Sequence, residues 1–339
     1  MVFRETPITL LKFVFLRLIK YLAIMKKILI TGGSGFLGRH LAKKLLAGGN
    51  ELILGSRNNG NNLMAELRTG CRVVPMDVTN EKSLRDVLTE FRPDTIIHAA
   101  ATKYVDVSEK NPFECIEVNV VGSQNIARLA MEFGIDNVIG ISTDKAAPPV
   151  GNIYGHSKAM MERLFSALNG RTRTKFMCVR FGNIAWSTGS VFPIWERMSL
   201  VDKKVGTTGP QMRRFFFTVH DASDLVITGL NNIEKFQGGI LSLKMKAARI
   251  EDILKVWSKA YQVPYEKIAE RPGDKNDEVL IGAIELPFVE QVLLEDNEYF
   301  FINFYLKREP TLMAEVSSAN VDKLSEQEIF KLIESKPEL

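Results

Sequence analysis

The chain has 339 residues, 45% of them hydrophobic and 25% charged, an ordinary globular make-up that excludes a disordered or low-complexity chain and suffices for one large or two modest domains. Of the formal charge of +4, Arg4, Lys12, Arg17 and Lys20 against Glu5 place +3 in the first 24 residues, which leaves no basic footprint of the kind that binds nucleic acid. Cys71, Cys115 and Cys178 stand far apart with no metal-ligand or paired-redox spacing, which fits a reducing, cytoplasmic compartment.

The first predicted element is Leu10 to Met25, strongly apolar but interrupted by Lys12, Arg17 and Lys20. On a helix those three cations fall within one arc of about 140°, as on a helix lying in a membrane interface. The stretch is too short and too charged to read as a spanning helix, and no small-residue cleavage site follows it. Residues 1–24 therefore have two readings, a peripheral membrane contact or an extension upstream of a start at Met25.

From Lys27 the pattern is strand, tight turn, helix. KKILITGG is an apolar run ending in glycines, and Leu37, Leu41, Leu45 and Leu46 then recur at helical spacing. Gly32, Gly35 and Gly38, with Phe36 and Leu37 among them, sit where strand meets helix. That context predicts dinucleotide binding, because a glycine turn lets the backbone approach a pyrophosphate and aims the helix N-terminus at its charge. The second strand, ELILGSR, ends in Ser56 and Arg57 with no acid to take ribose hydroxyls, so NADP is favoured over NAD. After the third strand, CRVVPMDV, Asp77 is positioned to meet the adenine, with Val78 beside it. After the fourth, TIIHAAA, Ala99, Ala100 and Ala101 would floor the pyrophosphate, and Lys103 could reach the ribose or the reacting centre.

The fifth strand, NVIGIST, runs into the stretch expected to carry chemistry. Tyr154 and Lys158 are four apart on one helical face. The Lys158 ammonium and a cationic nicotinamide ring would lower the phenol from its usual value of about 10, making Tyr154 a usable base. The sixth strand is FMCVRFGN. Alternating strands and helices predict an α/β, doubly wound parallel Rossmann sheet covered on both faces. Beyond Phe217 the pattern loosens into two helices, ASDLVITGLNNI and IEDILKVWSKA, and a turn-rich polar loop, ERPGDKNDE. The expected division is residues 25–217 for the dinucleotide-binding domain and 218–339 for a smaller substrate-binding lobe interleaved with the end of the sheet. His40, His98, His156 and His220 show no metal-ligand spacing.

These residues together resemble the extended short-chain dehydrogenase/reductases, and within them the inverting UDP-N-acetylglucosamine 4,6-dehydratases. The resemblance runs from Met25 through TGGSGFLG, SRN, HAATKYVDVSEKNPFE, NVVGSQNI, STDKA, YGHSK, RFGN, MRRFFFT and RPGDKNDE. It implies Asn119 as a further cofactor residue, a nucleotide-sugar substrate and a homo-oligomer. It implies that Tyr154 takes the proton of the sugar's 4-hydroxyl as hydride leaves carbon 4, with Thr143 hydrogen-bonding the same oxygen. The resulting ketone acidifies carbon 5. Lys145 then serves as base at carbon 5 and Asp144 as acid for the hydroxyl of carbon 6, and the hydride returns to carbon 6. Such a Lys145 needs a lowered pKa, expected from burial beside Lys158. Asn183, Arg214 and Arg271 are implied at the nucleotide diphosphate, with Lys103 also near the substrate. A sugar-nucleotide epimerase or reductase on the same scaffold is the alternative, and a non-catalytic NADP-binding protein a third reading. The chain departs from the resemblance in the longer loop PPVGN, in Thr188 where an arginine is usual, and in Asp277 where a histidine is usual.

Overall fold

The structure, a computed structural model, describes residues 25–268 and 275–337. The N-terminal stretch of residues 1–24, with its two readings, lies outside them, and so does Arg271.

The strands are β1 (Lys27–Thr31), β2 (Glu51–Ser56), β3 (Arg72–Pro75), β4 (Thr95–His98), β5 (Asn137–Ile141), β6 (Lys175–Arg180), β7 (Asn183–Ile184), β8 (Val205–Thr207), β9 (Arg213–Phe217), β10 (Ile240–Leu243), β11 (Ala247–Arg249), β12 (Tyr265–Lys267), β13 (Val279–Ile281), β14 (Val289–Leu294), β15 (Asn297–Ile302) and β16 (Val316–Ser317). Nine of them form one sheet in the order β14-β15-β10-β6-β5-β4-β1-β2-β3. From β3 to β10 every pairing is parallel, and β15 and β14 close that side as an antiparallel pair. The expected doubly wound sheet is present, and its strands are near-continuous apolar runs, as burial on both faces requires.

The principal helices are α1 (Phe36–Ala47), α2 (Asn59–Thr69), α3 (Glu81–Phe91), α4 (Val105–Lys110), α5 (Pro112–Ile116), α6 (Gly122–Phe133), α7 (Ile153–Leu168), α8 (Val191–Val201), α9 (Val219–Asn231), α10 (Ile233–Phe236), α11 (Ile250–Tyr261) and α12 (Glu326–Glu334). One layer packs α2 and α9 beside α1, and another packs α3 and α7 beside α6. Among the described residues, no helix is long and apolar enough to cross a membrane.

Two apolar cores result. The larger fills both faces of the sheet, from Ile28 to Ile302 and Val316. The smaller is aromatic, with Trp186, Phe192, Trp195, Phe216 and Trp257 packed ring on ring, and takes residues from either side of position 217. The strand order reverses between β1 and β4, which diverge to β2 and β5. In open α/β sheets a ligand crevice forms at that point, outside the carboxyl ends of the strands.

Candidate active site

A cleft of about 640 Å³ opens there. At its middle the chain turns from β1 into α1 through a left-handed Gly32, φ +67°, where a Cβ would stand 2.8 Å from the Ala100 nitrogen. A Cβ on Gly38 would stand 2.7 Å from the Gly32 oxygen, so strand, turn and helix close on one another only with glycine at these positions. Gly32, Gly35, Phe36, Leu37 and Gly38 line the cleft together with Ala99, Ala100 and Ala101. The free backbone N–H groups of the first turn of α1 make this wall receptive to a pyrophosphate.

One end of the cleft is formed by Ser56 and Arg57, whose strand ends in no acid. The Ser34 hydroxyl donates to Ser56 Oγ at 2.8 Å. Arg57 is exposed, and among the described residues it forms no ion pair. Thr143, Lys145, Tyr154 and Lys158 form the other end. An anion-receptive helix start with titratable groups at the far end of the cleft fits a nicotinamide dinucleotide.

Not every expected cofactor residue reaches the wall. Asp77 Oδ1 accepts from the Thr79 nitrogen and hydroxyl, both at 2.9 Å, while Val78 is buried against Gly122, and neither lines the cleft. Asn119 is wholly buried in the π-helical stretch Glu117–Val121. It accepts from the Thr102 nitrogen at 2.8 Å and donates to the Thr102 carbonyl and to Ser157 Oγ, both at 2.9 Å. It thereby ties the segment after β4 to α7 from behind the wall. Lys103 lines the cleft but spends its ammonium on the Thr188 carbonyl at 2.6 Å, across the mouth.

The reacting end is built from two pieces. Thr143, Asp144 and Lys145 leave β5 in a short 3-10 turn, Asp144–Ala146, capped by the Thr143 hydroxyl. Tyr154 and Lys158 stand in the first turns of α7, whose start is fixed by Asn152 Oδ1 accepting from the Gly155 nitrogen at 2.7 Å. The pieces touch at Gly155, where a Cβ would run into the Lys145 carbonyl.

The Thr143 hydroxyl donates to Asp144 Oδ1 at 3.0 Å. Lys145 Nζ donates to Asp144 Oδ1 at 3.0 Å and pairs with Glu278 Oε1 at 3.5 Å. Asp144 Oδ2 is buried and without a hydrogen-bond partner among the described residues.

The electrostatics differ from expectation at both bases. Burial pushes the Tyr154 phenol up to about 12, only partly opposed by the Lys145 charge and the Thr143 hydroxyl. Lys158 does not supply the expected lowering, because its ammonium turns away and donates to Met161 Sδ at 3.4 Å, where burial brings it down to about 8. Lys145 also departs from the expected fall. Burial does pull it down, but the charges of Asp144 and Glu278 outweigh burial and hold its ammonium well above the usual lysine range.

Glu278, which spacing did not single out, is buried and stands 3.6 Å from Arg214 Nε. Arg214 is thus committed to Glu278 and to the carbonyls of Arg213 and Asn276, away from the cleft wall where a diphosphate contact was expected. Asn183 does line the cleft. Asp277, the residue in place of a histidine, pairs with Arg213 at 2.7 Å. A second buried set lies behind the site. Arg180, wholly buried at the end of β6, donates to Glu162 on α7 and to Glu285, and Ser142 Oγ donates to Glu162 at 2.6 Å. His98, also wholly buried, sits 2.8 Å from the Thr31 hydroxyl, and burial drives its pKa down to about 3.

A family model described as "Polysaccharide biosynthesis protein" matches residues 28–292. A UDP-N-acetylglucosamine 4,6-dehydratase (inverting) of Campylobacter jejuni is 34% identical over 268 residues, 76% of this chain and 78% of the relative. A UDP-glucose 4-epimerase of Rickettsia bellii is 29% identical, covering 91% of this chain and 95% of the relative. Among solved structures, Pen from Bacillus thuringiensis superposes with a TM-score of 0.84 at 27% identity, covering 92% of this chain and 98% of that one.

Proposed function

This chain belongs to the polysaccharide biosynthesis protein family, within the extended short-chain dehydrogenase/reductases, and on that premise we propose that it is an NADP-dependent nucleotide-sugar 4,6-dehydratase. Its substrate on this reading is UDP-N-acetylglucosamine and its product a UDP-4-keto-6-deoxy sugar. The observation that carries the reading is the Asp144–Lys145 pair, bonded at 3.0 Å in a turn that seats against Gly155, next to Tyr154 on α7. Moving hydride to or from carbon 4, as an epimerase or reductase does, would use Thr143, Tyr154 and Lys158 and leave Asp144 and Lys145 without work. Expelling water across carbons 5 and 6 needs one more base and one more acid.

Gly32, Gly35, Phe36, Leu37 and Gly38 would hold the pyrophosphate of NADP, and Ser56 with Arg57 its 2′-phosphate. When bound, the dinucleotide supplies reversible hydride acceptance, so that hydride lost from carbon 4 reappears at carbon 6. The chain's own residues handle the protons. Tyr154 takes the 4-hydroxyl proton as phenolate, a form that burial disfavours and that a cationic nicotinamide ring would favour. The ketone then acidifies carbon 5, but Lys145 rests as an ammonium and must first lose a proton. Asp144 Oδ1, 3.0 Å away, is the acceptor at hand, and that single transfer creates a neutral amine for carbon 5 and a carboxylic acid for the departing hydroxyl. Arg214, beside Glu278, moderates the pull of that second carboxyl on the ammonium. Asn183, which lines the cleft, would meet the substrate's diphosphate side.

The test is incubation with NADP and a panel of UDP-, GDP-, CDP- and dTDP-sugars, read by mass spectrometry. Loss of one water from UDP-N-acetylglucosamine is expected. Water loss from another sugar alone moves the substrate, and a product of unchanged mass replaces this reading with an epimerase. Lys145→Ala should abolish water loss and leave dinucleotide binding intact.

A further inference from the structure

The dehydratase reading, on which the following rests, leaves a buried ionic set behind the cleft without a part in the proton steps. Arg180, at the end of β6, is wholly buried, and each of its five N–H groups has an acceptor. Nε and Nη2 donate to the two oxygens of Glu162 at 2.9 and 2.7 Å. Nη1 and Nη2 donate to the two oxygens of Glu285, both at 2.8 Å, and Nη1 also donates to the Leu280 carbonyl at 2.9 Å. A planar fork can hold a carboxylate on each of two edges, which a lysine ammonium cannot. Such a set adds little net stability over apolar side chains of the same volume, so its effect is on geometry. The two carboxylates belong to different parts of the reacting end. Glu162 is on α7, four residues beyond Lys158 and eight beyond Tyr154, so the three side chains share one helical face. It also accepts from Ser142 Oγ at 2.6 Å, and Ser142 lies between β5 and Thr143. Glu285 lies in the turn after β13, where it also accepts from the Gly282 nitrogen at 2.9 Å. β13 packs on the Asp144–Ala146 turn, and the residue before it is Glu278, 3.5 Å from Lys145 Nζ.

We infer that Arg180 is a positioning residue with two arms: through Glu162 it holds Tyr154 and Lys158 in place for oxidation at carbon 4, and through Glu285 it holds Glu278 against Lys145 for the elimination. The sheet is the common frame. Backbone hydrogen bonds join the end of β5 to the end of β6, from Ser142 N to Val179 O at 2.7 Å and from Asp144 N to Phe181 O at 2.9 Å. Arg180 therefore stands on the same platform as Thr143, Asp144 and Lys145. α7 and the turn after β13 are brought to that platform at two edges of one guanidinium, so each half of the reaction depends on its own carboxylate.

Removing Arg180 strands both carboxylates at once, so each arm is cut separately in the full chain, with Glu162→Gln or Glu285→Gln. Each substitution keeps the shape of the side chain and removes one charge. The chains are loaded with NADP and mixed rapidly with the panel sugar that loses water, with product read by mass spectrometry and reduced dinucleotide by its absorbance. Each should lower kcat roughly 10- to 100-fold, the cost of displacing a reacting group by up to about 1 Å, with the dinucleotide Kd unchanged. The signatures should differ. Glu285→Gln should accumulate reduced dinucleotide, because oxidation outruns elimination. Glu162→Gln should accumulate none and should show a larger isotope effect than the parent with substrate deuterated at carbon 4. Glu162→Asp and Glu285→Asp, which keep the charge and shorten the arm, decide by the same two signatures if the Gln chains do not fold. One signature shared by both arms, a kcat within roughly threefold of the parent, or a matching loss of dinucleotide affinity overturns the inference. If the unsubstituted chain expels no water from any sugar in the panel, the dehydratase reading falls and the two arms with it. A shared signature in a chain that does expel water overturns the two arms alone.

Discussion

Gly155 is where the two pieces of the reacting end meet, and replacing it with alanine isolates what that contact is worth. On helix propensity alone the change is favourable by about 1 kcal/mol, since Gly155 lies inside α7. The new Cβ, however, would stand 2.9 Å from Val150 Cγ1 and nearer still to the Lys145 carbonyl oxygen. Restoring ordinary contact of roughly 3.5 Å displaces the Thr143–Lys145 turn from Tyr154 by about 1 Å. Overpacking of this kind costs about 1–3 kcal/mol, so net stability should fall by no more than about 2 kcal/mol. The reaction is far more sensitive, because a misplacement of about 1 Å can cost roughly 100-fold in rate. The expected outcome for Gly155→Ala is therefore a kcat reduced about 100-fold, a melting temperature lowered by only a few degrees, and an unchanged dinucleotide Kd. Turnover measured by mass spectrometry, with melting and dinucleotide titration on the same preparation, checks all three. A Gly155→Ala chain with kcat within roughly threefold of the parent would refute the idea that the turn's seat on α7 sets the geometry of elimination.

Arg57→Ala should weaken NADP binding by roughly 10- to 100-fold, the value of a charge-assisted contact to the 2′-phosphate, and leave NAD binding nearly unchanged; calorimetric titration with both dinucleotides decides it. Lys158 has an ordinary value of 10.5 that burial lowers to about 8, so between those limits the unfolded chain binds the extra proton. Stability therefore rises with pH through that window, and the full penalty stands below pH 8. Lys158→Met should accordingly raise the melting temperature of the cofactor-free chain at neutral pH, with an advantage that shrinks as pH climbs toward 10.5; a constant difference would contradict the assignment. Arg180→Met strands Glu162 and Glu285 in the interior and should cost about 3–5 kcal/mol in denaturant unfolding.

Where a local pattern and the tertiary environment agree, the fold was legible in advance. KKILITGG, ELILGSR, CRVVPMDV, TIIHAAA, NVIGIST and FMCVRFGN became β1 to β6, because strands buried on both faces of a parallel sheet read as near-continuous apolar runs. The β14–β15 hairpin was not read. Its two-residue turn is Glu295–Asp296, both left-handed at φ +47° and +65°, in place of the asparagine and glycine that usually announce such a turn. In the site, Tyr154 and Lys158 were legible from helical spacing, but their ionisation was not. Burial and side-chain direction decide it, and Lys158 turns toward Met161. Glu278 stood in view within RPGDKNDE, yet its role depends on Lys145 and Arg214, neighbours that only the folded chain brings beside it. Arg180 gave one faint sign, a guanidinium that follows the apolar run Phe176 to Val179.

The antiparallel pair that closes the sheet has a consequence for how the protein is made. On one side β10 pairs with β6, and on the other its edge is capped by β15, which comes from residues 297–302. A ribosome that has delivered everything through β10 has thus produced a sheet whose newest strand shows an unpaired row of N–H and C=O groups, with Leu241 and Leu243 on it. Such an edge invites another nascent chain to add to it until the hairpin emerges. Premature termination anywhere from Lys244 to Phe288 should therefore yield insoluble protein even though every residue of the dinucleotide cleft has already been synthesised.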